Sequence, residues 1–165
     1  MNKKFSNEQI REIAENVDIG YICFINADTS EMVVMLNDEA LSNYGISWED
    51  EKEGEPDDSW PKWQKEMYAE IKADKEKVDS WQHVIRIEKP NPYEMFGFME
   101  RFVDEIIPEG VLKENFLKAL TRSHPFRNFS AIIHNCEYRE DWFVFKQEAL
   151  EEYVRDAIGD FEEGE

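Results

Sequence analysis

At 165 residues the chain fits one domain spanning residues 1–165, since domains run roughly 100–200 residues, and it needs no disulfide or metal staple. Its 38 acids against 19 bases give a formal charge of −19, which disfavours attraction of the whole molecule to nucleic acid or an anionic membrane. No apolar run approaches the ~20 residues of a membrane span, the opening "MNKKFSNEQIREIAE" has no apolar signal core, and two cysteines without a CxxC make no disulfide framework, so a reducing cytoplasm is the expected compartment.

The first predicted element is a helix over 7–17. Ser6 and Gln9 form a capping box, and Ile10, Ile13, Ala14 and Val17 recur at helical spacing. After Gly20, "YICFINADTSEMVVML" reads as a hairpin with "NADTSE" as its turn. Cys23 sits in its apolar first arm and reads as a small buried hydrophobe.

Residues 37–59 hold nine acids and one Lys, with Gly54 and Pro56 among them. Close like charges and little apolar surface predict an acidic loop insertion. A helix follows, with Ser59 or Pro61 at its start and Trp63, Met67 and Ile71 as its inner stripe. "SWQHVIRIEKP" alternates apolar and polar residues until Pro90 stops it. That is a strand, and it is expected beside the hairpin.

From Asn91 onward only helices are predicted. The first has Asn91 as N-cap, Pro92 at its first position, and Met95, Met99, Phe102, Val103 and Ile106 facing inward. The second restarts after Pro108 with Leu112, Phe116, Leu117 and Leu120. The third has Ser123 as cap and Phe126, Phe129, Ile132 and Ile133 inward. The last carries Trp142, Phe145, Ala149 and Tyr153 and ends near Gly159, leaving residues 160–165 as a frayed acidic tail. Strands in the first half and about four helices in the second define an α+β fold with a small antiparallel sheet of hairpin plus one strand.

The hairpin, "PNPYEMFGFMERFVDEI", "PFRNF" and "DWFVF" come in an order that resembles the bacterial Uncharacterised Protein Family 0158. The resemblance rests on Tyr93, Phe96, Met99 and Phe102, on Pro125, Phe126 and Phe129, and on Trp142 and Phe145. It covers most of the chain except 37–80, which look like an expanded insert. The family usually approaches the first of these Phe residues through a Gly/Arg-rich stretch, where this chain has "TRSHPF". The resemblance implies a relationship and no catalytic residues.

The chemistry-bearing residues form no coherent catalytic set. His134 and Cys136 are two residues apart, where side chains on a helix diverge, and zinc wants three or four ligands. Glu100 and Asp104 lie one turn apart, an arrangement that can hold a divalent ion or serve any solvated helix face. No metal and no cofactor are expected.

The segment 113–127 holds Lys113, Lys118, Arg122 and Arg127 against Glu114 alone. With His124 it lies at a helix start, where backbone N–H groups favour an anion. Arg122, His124 and Arg127 are therefore the candidate anion- or partner-binding residues, unless acids of the last helix neutralise the arginines. The leading reading is a non-catalytic interaction or accessory protein with a protein partner or a small anionic ligand. The alternatives are an enzyme with a scattered site around His124, His134 and Glu100, or a nucleic-acid-associated protein using residues 113–127.

Overall fold

The computed structural model describes residues 5–46 and 58–164. The described chain groups into two compact units, residues 1–89 with 156–165, and residues 90–155.

The first unit is built around three strands. Helix α1 (Asn7–Ile19) starts at the capping box, in which Gln9 N–H donates to Ser6 Oγ at 3.1 Å and Ser6 N–H to Gln9 Oε1 at 2.8 Å. Gly20, at φ 110°, ends it in the left-handed conformation that glycine adopts without a Cβ clash. Strands β1 (Ile22–Asn26) and β2 (Met32–Met35) form the hairpin, with Phe24 opposite Val33. Asn26 Oδ1 accepts the Asp28 N–H at 2.9 Å and holds the turn.

Strand β3 (Val84–Ile87) pairs antiparallel with the other side of β1, giving the order β2-β1-β3. The predicted third strand is therefore present beside the hairpin. It is shorter than the alternation suggested, since Trp81 and His83 precede it. All five residues of β1 are buried, because both faces of the central strand are covered. Ile22, Phe24, Val33 and Met35 form one core with Val78 of helix α3 (Lys62–Asp79). Ile25 points to the opposite face, towards Ile13 of α1.

The segment read as an acidic loop begins with a short helix, α2 (Asp38–Ser42), which Asn37 caps by accepting the Ala40 N–H at 2.8 Å. Residues 47–57, the most acidic part of that expected loop, lie outside the described residues. Helix α3 starts later than Ser59, with Pro61 at the cap position and no side-chain capping bond. Its inner face is Met67, Ile71 and Val78, and Trp63 is 56 % exposed, not part of an inner stripe.

The second unit is helical. Helix α4 (Pro92–Glu105) begins at Asn91, whose Oδ1 accepts the Glu94 N–H at 2.9 Å. Helices α5 (Val111–Thr121), α6 (Pro125–Ile133) and α7 (Arg139–Glu163) follow. Phe102 is fully buried at the centre of an aromatic cluster. Its ring lies 6.3 Å from Phe129, 5.2 Å from Trp142 and 5.5 Å from Phe145, all edge-to-face, and Phe129 lies 5.3 Å from Phe116. Three inward assignments change: Phe126, Leu117 and Ile106 are exposed.

The tail departs from expectation as well. Helix α7 runs through Gly159 to Glu163, so residues 160–163 are helical. A single glycine costs a helix interior about 1 kcal/mol, and buried Ile158 secures the turn that contains it.

Candidate functional site

The corner between α5 and α6 carries the predicted basic residues. Arg122 follows α5 in extended conformation, and His124 is the N-cap of α6 at φ 60°, ψ 53°. The cap is His124, not Ser123, because Pro125 occupies the first helical position and the preceding residue is turned away from helical backbone. His124 makes no side-chain capping bond. Asn128 fastens the corner instead: its Nδ2 donates to Ala119 O at 3.2 Å and to Ser123 O at 2.9 Å, satisfying carbonyls at the end of α5.

Arg122, His124 and Arg127 are all exposed. Among the described residues neither guanidinium is paired with an acid. The basic segment is nonetheless smaller than its sequence suggests. Lys113 donates to Glu109 Oε1 at 3.0 Å and to Asp104 O at 3.3 Å, so it braces the start of α5.

His134 lies at the other end of α6, ten residues from His124. At 1.5 Å per residue that is roughly 15 Å, too far for both rings to reach one reacting atom. Arg139 Nε donates to His134 Nδ1 at 3.4 Å, which leaves the ring proton on Nε2. The same guanidinium stands 4.8 Å above the Phe143 ring. His134 is thus held as a donor. Cys136 donates its S–H to Ile133 O at 3.6 Å.

Glu100 is exposed on α4, and its neighbour Arg101 turns to Glu152 at 3.8 Å and to the Phe145 ring. Among the described residues no three His, Cys, Asp or Glu side chains converge as a metal site, and no helix is long and apolar enough to cross a membrane.

One cleft of about 220 Å³ opens beside α6. Met95, Met99, Phe126, Phe129 and Trp142 supply its apolar surface, and Ser130, His134 and Lys146 its polar one. Arg127 precedes Ser130 by one helical turn and so borders the same face. The i, i+3 spacing predicts Phe126 and Phe129 as one inward stripe, whereas Phe126 is 40 % exposed. The signal against this was present: Phe126, Ser130 and His134 recur at i, i+4 and i+8, a mixed stripe beside the purely apolar Phe129 and Ile133.

Burial pushes the Cys23 thiol up to about 12, and the Glu12 carboxylate acts in the same direction. Cys23 is an inert core residue at neutral pH, not a nucleophile.

No curated protein and no solved structure matches the chain. The sequence profile of an uncharacterised protein family, UPF0158, matches residues 60–161. The matched stretch includes α3, so the expected insert of 37–80 does not extend over that helix, and it leaves the hairpin outside. It includes the aromatic helices α4 to α6 and α7 through Phe161, on which the resemblance was drawn. With more than half of its length matched, the chain belongs to the uncharacterised protein family UPF0158.

Proposed function

We propose that the protein is a non-catalytic interaction protein whose helical unit binds an acidic segment of a partner protein through one apolar anchor side chain. The observation that carries this reading is the cleft of about 220 Å³, apolar on one side and bordered by donors on the other. Pockets for whole small molecules run roughly 300–1,000 Å³, so the volume suits a single large side chain better. Arg127 lies at its edge, and Arg122 and His124 lead into the same helix. His134, with its proton on Nε2, offers a further donor. The cytoplasm is the proposed location, in keeping with two free cysteines.

A fluorescein-labelled peptide of Glu and Asp with one central Phe tests the reading by anisotropy with the intact chain. Arg127→Ala removes a charge-assisted hydrogen bond and is expected to weaken binding about tenfold. Phe126→Ala removes the apolar wall and is expected to weaken it by about fivefold or more. Equal binding by both variants and the wild type sinks the cleft as the binding site. Binding of inorganic phosphate at the same residues, without the peptide, would replace the partner segment by a small anion.

A further inference from the structure

The lining of the cleft beside α6 is divided along that helix. Phe126, Ser130 and His134 succeed one another at i, i+4 and i+8 on one face. Apolar surface stands at one end of this stripe, a hydroxyl in the middle and an imidazole at the other end. Lys146 of α7 lines the same cleft. None of its nine lining residues is an acid, although the chain has 38. The depth of the cleft is apolar, with Phe129 and Trp142 both buried. Ser130 and His134 are exposed, so the polar part is the mouth. Arg139 Nε holds His134 Nδ1 at 3.4 Å, and Nε2–H is the donor the ring has left. Hydroxyl, imidazole N–H and ammonium thus face the cleft with no carboxylate among them. Their complement is an anion joined directly to an apolar group, which keeps its charge at the wet mouth.

Spacing selects the kind of anion. Four residues of helix rise about 6 Å, so Ser130 lies that far along α6 from Phe126. An extended peptide advances about 3.3–3.6 Å per residue, so the apolar anchor and the charge belong to one residue or to neighbours. Neighbouring side chains of an extended segment point to opposite faces. An Asp or Glu beside the anchor therefore turns its carboxylate away from the cleft, and an internal anchor presents only neutral amides to the three donors. An α-carboxylate is bonded to the same Cα as the anchor and meets both requirements.

We propose that the cleft takes the C-terminal residue of a partner chain, its apolar side chain against Phe126 and Trp142 and its free α-carboxylate against Ser130, His134 and Lys146. This rests on the reading of the cleft as the site for an acidic segment and gives that segment a direction: the residues before the terminus run towards Arg127.

The test titrates three fluorescein-labelled acidic peptides of equal length and net charge into the full-length chain. One ends in Phe with a free carboxylate, one ends in Phe amide with a Gly replaced by Glu, and one carries its Phe centrally. The free acid is expected to bind about tenfold more tightly than the amide, the worth of one charge-assisted hydrogen bond, and more tightly than the central Phe. His134→Ala and Lys146→Met are each expected to cut that ratio to about threefold or less, while Arg127→Ala weakens both peptides and keeps it. Both peptides meet the same variant, so a folding defect cancels in the ratio. Equal binding of acid and amide by the wild type would overturn the inference and leave the cleft reading standing. A ratio that survives both His134→Ala and Lys146→Met would overturn it as well, by placing the carboxylate elsewhere. Binding of none of the three peptides would sink the cleft reading itself. Displacement by 3-phenylpropanoate at the concentration of the peptide would replace the chain terminus by a small aromatic acid.

Discussion

Phe126 and Phe129 are three residues apart on α6 and have opposite tasks. Phe129 is 2 % exposed, with Trp142 at 4.8 Å and Phe116 at 5.3 Å. Its truncation to alanine leaves a cavity in a packed aromatic cluster, and a loss of about 3–5 kcal/mol is expected in urea melts. Phe126 is 40 % exposed at the cleft, so Phe126→Ala is expected to cost about 1 kcal/mol or less. A loss at Phe126 as large as that at Phe129 would make it core and remove it from the proposed site. Cys23 supplies a pH dependence. Its folded-state value of about 12 exceeds the ordinary 9.0, because burial disfavours the thiolate. Folding therefore favours the protonated thiol. The contribution is fully present below pH 9 and is lost as pH rises from 9 towards 12, at up to about 1.4 kcal/mol per pH unit. Cys23→Ala is expected to flatten the stability curve in that window. An unchanged slope would show that other groups dominate alkaline unfolding.

Helix α6 begins in a conformation that a side chain resists. His124 sits at φ 60°, ψ 53°, where a Cβ costs about 1–2 kcal/mol. Replacing it by glycine relieves that strain but adds unfolded-state entropy of about 0.4–1 kcal/mol. His124→Gly is therefore expected to leave the melting midpoint nearly unchanged. A β-branched side chain is poorly tolerated at positive φ, and His124→Val is expected to lose about 1–2 kcal/mol. Equal midpoints for the two variants would mean the corner relaxes freely. This corner also marks the limit of what was legible in the sequence. The starts of α1 and α4 are legible, because Ser6 and Asn91 announce their helices through hydrogen bonds three residues long; Asn37 caps the short α2 in the same way, but the acids after it read as loop. The hairpin and its third strand were legible from β-branched alternation. The starts of α3 and α6 were not, since Pro61 and His124 cap by backbone conformation alone. The candidate site was half legible. Arg122, His124 and Arg127 stood out as local charge, but the apolar side of the cleft comes from three helices, and which aromatic of each stays exposed depends on packing between them.

Charge is unevenly divided over the molecule. Residues 90–155 carry 12 acids and eight bases, a net −4, so −15 of the total −19 falls on the unit with the sheet. Self-repulsion destabilises a compact state, and salt screens it: the Debye length shrinks from about 30 Å at 0.01 M to about 3 Å at 1 M. Screening should therefore stabilise the two units unequally. Amide hydrogen exchange resolves them within one experiment. Raising NaCl is expected to slow exchange more in β1 and α1 than in α4 and α6. Chloride is preferable to sulfate, because excluded salts strengthen apolar burial everywhere and would blur the contrast. Equal slowing in both units would argue that they open together and that the charge asymmetry has no consequence for local stability. A larger effect in the helical unit would contradict the electrostatic account outright, since only four net charges lie there to be screened.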